Sequence, residues 1–161
     1  MLRSLGLLAV FISFILIVTW RPWMSTSINT VDYAGIAVRA ENFVGFDVVV
    51  PALPDDWKVN NAHYDKAKDD ASKYVWTISA VAPGEKFVSI QQTNTVLVEQ
   101  FLKNVTGVDA TWTPAAEWQS MPNSDGKNIT YVFTREDSLV LFTLPLGNQE
   151  LKDQLKELLA Q

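Results

Sequence analysis

The chain has one histidine, His63, and it stands among carboxylates: Asp55 and Asp56 precede it, and Asp65, Asp69 and Asp70 follow. An imidazole titrates near neutral pH, so this is the side chain for a general base or a metal ligand. Aspartate oxygens suit a hard cation, and two carboxylates held about 5–10 Å apart in a cleft suffice for glycoside hydrolysis. Plainer readings compete with each of these. His63 has no second histidine beside it, and no Gly-x-Ser-x-Gly turn suggests a Ser-His-Asp triad. Asp55 and Asp56 follow a proline, Asp69 and Asp70 sit in a lysine-rich link, and aspartate favours such turns. The spacing does not match an EF-hand loop. Strand phase groups His63 with Trp57, Val59 and Asn61 on one face, at a strand end. The sequence therefore leads us to expect no catalytic residue, no metal and no cofactor.

Recognition is the other chemistry these residue types allow. Trp57, Trp76, Trp112 and Trp118 are accompanied by Asn60, Asn61, Gln91, Gln92 and Asn94. Aromatic rings beside amides line pockets for a sugar or a partner peptide. Trp76 alternates with Tyr74 and Ile78 and reads as core, as does Trp57. Trp112 and Trp118, near Pro114 and Pro122 in the least regular segment, are better placed for exposure. The candidate binding set is Trp112 and Trp118, with Trp57, Gln91 and Asn61.

Composition narrows the classes further. With 161 residues, 48% of them hydrophobic, the chain can bury one core and carry an appendage. Leu5 to Trp20 holds no charge and only Ser13 and Thr19 as polar interruptions. As a helix this run covers about 24 Å, short of a hydrocarbon core of about 30 Å. Arg3 and Arg21 extend it by snorkelling, and Trp20 and Trp23 suit the interface. Only Ser25 and Ser27 offer a small-x-small cleavage site, so a retained signal anchor is expected over a cleaved signal peptide. The expected layout is an anchor at 1–23, a tether at 24–30 and an exported domain at 31–161. The N-terminus is then cytoplasmic and the C-terminal domain extracytoplasmic, on a single-pass span of the cell membrane.

Beyond Trp23, eleven basic side chains face eighteen acidic ones, a formal charge of about −7. That sign, with no cluster of Lys and Arg, argues against nucleic acid as a partner. Cysteine is absent, which removes disulfides, thiolate metal sites and cysteine nucleophiles. The sequons at Asn104 and Asn128 are short enough to arise by chance, and we give them no role.

Several elements must position these residues. "VDYAGIAVRAENF" has helical spacing with Asp32 at its start, and "FDVVVPALPDDW" is an extended run punctuated by Pro51 and Pro54. "WKVNNAHY", "YVWTISAVA" and "KFVSIQQT" read as strands, and "NTVLVEQFLKNVTG" as a helix stopped at Gly107. "TWTPAAEWQSM" is a weaker strand region, followed by strands "NITYVFTR" and "SLVLFTL". The final helix carries a stripe of Leu151, Leu155, Leu158 and Leu159, with Lys152, Asp153, Lys156 and Glu157 toward water. The order is anchor, helix, three strands, helix, three strands, helix. It predicts an α+β domain whose helices cover one face of a largely antiparallel sheet, the second half repeating the first in element order.

"VDYAGIA" behind an apolar N-terminus, "PALPDDWKVNNAHYD", "WTISAVAPGEKFVSIQQT" and "REDSLVLF" before a leucine-rich helix together resemble the actinobacterial domain-of-unknown-function family 4245. The resemblance covers nearly the whole chain. It implies a membrane-anchored or exported domain and transfers no catalytic residue. The function expected is a membrane-tethered binding domain for a protein or a cell-envelope component such as a glycan. The competing expectation is an envelope hydrolase using a carboxylate pair.

Overall fold

The computed structural model describes residues 30–114 and 117–159. The expected anchor and all but the last residue of the expected tether lie outside these residues. Among the described residues no helix is long and apolar enough to cross a membrane.

Helix α1 spans Tyr33–Val44. It begins where Asp32 Oδ1 accepts a hydrogen bond from the Gly35 amide at 3.0 Å, satisfying one of the donors a helix start leaves free. It ends at Gly45 in the left-handed conformation, φ +73°. Strands β1 (Lys58–Lys66), β2 (Tyr74–Ala82) and β3 (Lys86–Thr93) follow as a meander. Helix α2 (Val98–Thr106) then leads to β4 (Gln119–Pro122), β5 (Asn128–Arg135) and β6 (Ser138–Pro145), and α3 (Gln149–Leu159) closes the described chain. The six strands form one sheet in the order β1-β2-β3-β6-β5-β4, antiparallel at every neighbour.

Alternation gives this sheet two faces, and the sequence loads them differently. Trp76, Ile78, Val88, Ile90, Val140, Phe142 and Leu144 make the main core with Ala37, Ala40 and Val44 of α1 and Leu151, Leu155 and Leu159 of α3. The opposite face carries a smaller cluster in which Phe101 and Leu102 of α2 meet Met121, Val132, Leu139 and Leu141. Helices thus cover both faces, where the sequence suggested one. The two halves share an element order without being structural copies, because α1 and α2 pack on opposite sides.

One irregularity changes the phase of β1. The register steps from Val59↔Ala80 to Asn61↔Ser79, leaving Asn60 as an extra residue in a bulge. Val59 therefore faces the main core while Asn61 and His63 face the other side. This corrects the simple alternation that grouped His63 with Val59, since a one-residue insertion flips every side chain beyond it.

The connection from α1 to β1 has no strand partner, yet it is firmly held. Gln92, 1% exposed, accepts from the Val49 amide at 2.7 Å and donates to Asp47 O at 2.8 Å and to Ser138 Oγ at 2.9 Å. Trp76 Nε1 donates to Val49 O at 3.1 Å, and Tyr33 OH to Pro51 O at 2.9 Å. Side chains of the sheet and of α1 thereby satisfy backbone groups for which this segment has no ladder partner.

Helix α2 stops at Gly107, φ +75°, whose amide bonds to Lys103 O at 2.8 Å. The Ser124 amide reaches Thr106 O at 2.8 Å, tying this helix end to the β4–β5 turn. A Cβ at position 107 would collide with the Ser124 side chain. Gly107→Ala is expected to lose about 1–2 kcal/mol from the left-handed backbone alone, and more from the collision, measured by chemical denaturation. In α3, Lys156 departs from a purely solvated role: its Nζ lies 5.4 Å from the Tyr131 ring centroid.

Candidate functional site

Three of the depressions on the surface of the described residues are separated by the chemistry of their walls. A cavity of about 760 Å³ lies between α2 and the segment through Trp112. Its charged groups serve one another: Lys103 Nζ pairs with Asp109 Oδ1 at 2.6 Å, and the Trp112 amide donates to Glu99 Oε1 at 3.2 Å. That arrangement reads as a clasp fixing the chain after α2. A second depression of about 690 Å³ gathers Glu41, Asp47, Glu136 and Asp137. Among the described residues no three metal-ligating side chains come together to hold an ion.

The third, a groove of about 430 Å³, lies on the face that α2 only partly covers. Its floor comes from the alternation of four adjacent strands. His63 of β1 is opposite Thr77 of β2, Thr77 is opposite Gln91 of β3, and Ser89 is opposite Thr143 of β6. One long wall is α2, through Phe101, Asn104 and Val105, and the end is closed by the β1–β2 hairpin with Lys66, Lys68 and Asp69. The bulge at Asn60 is what brings His63 to this side.

Polar atoms at this groove are left unused. His63 Nδ1, both carboxylate oxygens of Asp69 and Gln91 Oε1 are buried and have no hydrogen-bond partner. Burying such atoms unpaired costs free energy, so each calls for a reason. His63 Nε2 lies 3.5 Å from Asp65 Oδ2. The Asp69 and Gln91 oxygens are acceptors, and the volume and lining of the groove fall within the range of small-ligand sites, roughly 300–1,000 Å³ with a few convergent polar groups.

Of the two carboxylates at the groove, the Asp65 side chain is 77% exposed, so they do not form a buried pair. No hydroxyl reaches His63 Nδ1, the contact a triad requires. Elsewhere, Asp70 and Asp125 are held below the usual carboxylate range by hydrogen bonds, from Ser72 in the first case and from Lys127 and Asn128 in the second. A depressed value stabilises the fold above the ordinary carboxyl pKa, and this contribution is lost as pH falls through the depressed one. The melting temperature should therefore fall between about pH 5 and pH 2, and fall less in an Asp70→Asn, Asp125→Asn double variant.

The sequence-derived set is dispersed by the fold. Gln91 lines the groove, and Asn61 lies on the same face beyond it, exposed opposite Ser79. Trp57 is 6% exposed within the main core. Trp118 is half-buried on that same face, its ring 4.1 Å from Phe133 and 4.9 Å from Phe142. Trp112 packs against the smaller cluster on the opposite face. Trp112 and Trp118 are thus separated by the sheet and form no common patch. His63, Asp69, Thr77 and Ser89 belong to the groove; the signal for His63, Thr77 and Ser89 in the sequence was the polar half of the alternation in β1 to β3, while Asp69 comes from the β1–β2 link.

Together these features define an α+β domain built on one antiparallel sheet, with a polar groove beside a partly covering helix. Residues 1–160 match the family model described as a protein of unknown function (DUF4245), and the chain belongs to that family. No curated protein and no solved structure matches it.

Proposed function

We propose that the chain is a membrane-tethered extracytoplasmic binding domain, and that the groove between β1–β3 and α2 is its ligand site. The observation that carries this reading is the set of buried, unpartnered polar atoms on His63, Asp69 and Gln91 in a single groove. Their desolvation is unfavourable in the free protein and is offset when a ligand supplies donors. The uncharged apolar run from Leu5 to Trp20 supplies the anchor, with the acidic domain on the outer side. The exposed Asp65 and the His63 Nδ1 that no hydroxyl reaches favour binding at this groove over carboxylate-pair hydrolysis there.

The test is NMR on the full chain in a zwitterionic detergent free of sugar headgroups, titrated with an amine, a carboxylate and a panel of neutral saccharides. Shifts centred on the amides of Ser89, Gln91 and Thr143 are expected with at least one probe class. If every probe leaves those amides unmoved, or moves only the clasp at Lys103 and Trp112, the groove is not the site.

A further inference from the structure

The geometry points to a neutral, polyhydroxylated ligand, a saccharide, as the occupant of the groove; this rests on the binding reading above. The buried unpartnered oxygens are acceptors, which disfavours an anion: a carboxylate or phosphate would place its own lone pairs against Asp69 and Gln91 Oε1. The charged side chains at the groove are Lys66 and Lys68 against Asp65 and Asp69, a balanced set that offers a cation no net attraction. A neutral molecule rich in hydroxyl donors meets both conditions.

Vicinal hydroxyls match this inventory in detail. The two oxygens of the Asp69 carboxylate accept from adjacent O–H groups, and such hydrogen bonds to an ionised acceptor are the strong ones. Gln91 pairs its free Oε1 with a hydroxyl hydrogen, and the Thr77 and Ser89 hydroxyls donate or accept as the ligand needs. Val75 and Val105 supply the apolar surface against which the C–H face of a sugar ring packs. A volume near 430 Å³ limits the occupant to a short segment, so a longer glycan would continue out of the open end.

The titration described above tests the class as well as the site. The saccharide panel comprises mono- to tetrasaccharides of hexoses, pentoses and N-acetylhexosamines; hexylamine and hexanoate are the charged probes. We expect saturable shifts at Ser89, Gln91 and Thr143 with at least one saccharide. Affinity should fall about tenfold or more in Asp69→Ala and in Gln91→Leu, as expected for loss of a hydrogen bond to a charged group or of a desolvated acceptor. A Trp118→Phe variant should bind as the parent does, because Trp118 lies on the other face. Saturable groove shifts with hexylamine or hexanoate and with no saccharide would keep the site and overturn the saccharide class. Groove amides that stay unmoved with every probe overturn both. Saccharide shifts that persist unchanged in both groove variants would place the sugar elsewhere and overturn the inference.

Discussion

Trp76→Ala is expected to destabilise the domain by about 3–5 kcal/mol, the usual loss when a large aromatic is removed from a close-packed core. Trp76 is fully buried at the centre of the face shared by α1 and α3. Its removal has two effects. It leaves a cavity among Ile78, Ile90 and Val49, and it deprives Val49 O of the indole donor 3.1 Å away. Trp76→Phe keeps most of the ring volume and loses the N–H, so it should recover more than half of the deficit. Urea unfolding of the two variants separates packing from hydrogen bonding. Equal losses in both would mean that the single hydrogen bond outweighs the packing, contrary to the magnitudes expected for each.

Gln92→Leu is the second large effect and works by another route. Leucine is close to glutamine in size, so the core keeps its volume, but the Val49 amide, Asp47 O and Ser138 Oγ lose their shared partner. The Val49 amide is left buried and unsatisfied and Asp47 O partly so, while Ser138 Oγ keeps its bond to Arg135 O; at about 1–3 kcal/mol for each buried group left unsatisfied, a total of about 2–3 kcal/mol is expected. The damage should be local as well as global. Hydrogen exchange at Val49 should accelerate beyond what the drop in global stability explains, because the irregular segment before β1 loses the clamp that holds it. Unchanged protection at Val49 would show that Trp76 and the proline turns suffice to hold the segment.

Much of the architecture was legible because it is local. Asp32 before an apolar stripe, Gly107 after one, and the leucines of α3 announce helix boundaries and faces within a turn or two of chain. Period-two patterning placed Tyr74, Trp76, Ile78 and Ala80 on one face of β2 with no structural help. What stayed hidden depends on contacts distant in sequence. The bulge at Asn60 is set by pairing with β2, and its neighbour Asn61 gives no sign of it. The side taken by α2 is fixed by Leu139 and Leu141, whose strand lies far downstream. Gln92 bonds to groups 43 to 46 residues away, so "QQT" alone could not reveal that one glutamine serves the fold and the next faces a groove. The tryptophans divide: Trp57 and Trp76 are core, as their patterning suggested, while Trp112 and Trp118 are half-buried on opposite faces, because large aromatics are the side chains a core most rewards burying.

The contrast between those two adjacent glutamines gives the most direct test. If Gln91 is kept for a ligand, its Oε1 contributes nothing to the free protein and its desolvation is a small cost. Thermal unfolding of the full-length Gln91→Leu variant, free of added ligand, should then give a melting temperature equal to or above that of the parent. A fall comparable to that of Gln92→Leu would mean that Gln91 supports the fold, contradicting its assignment to a binding site.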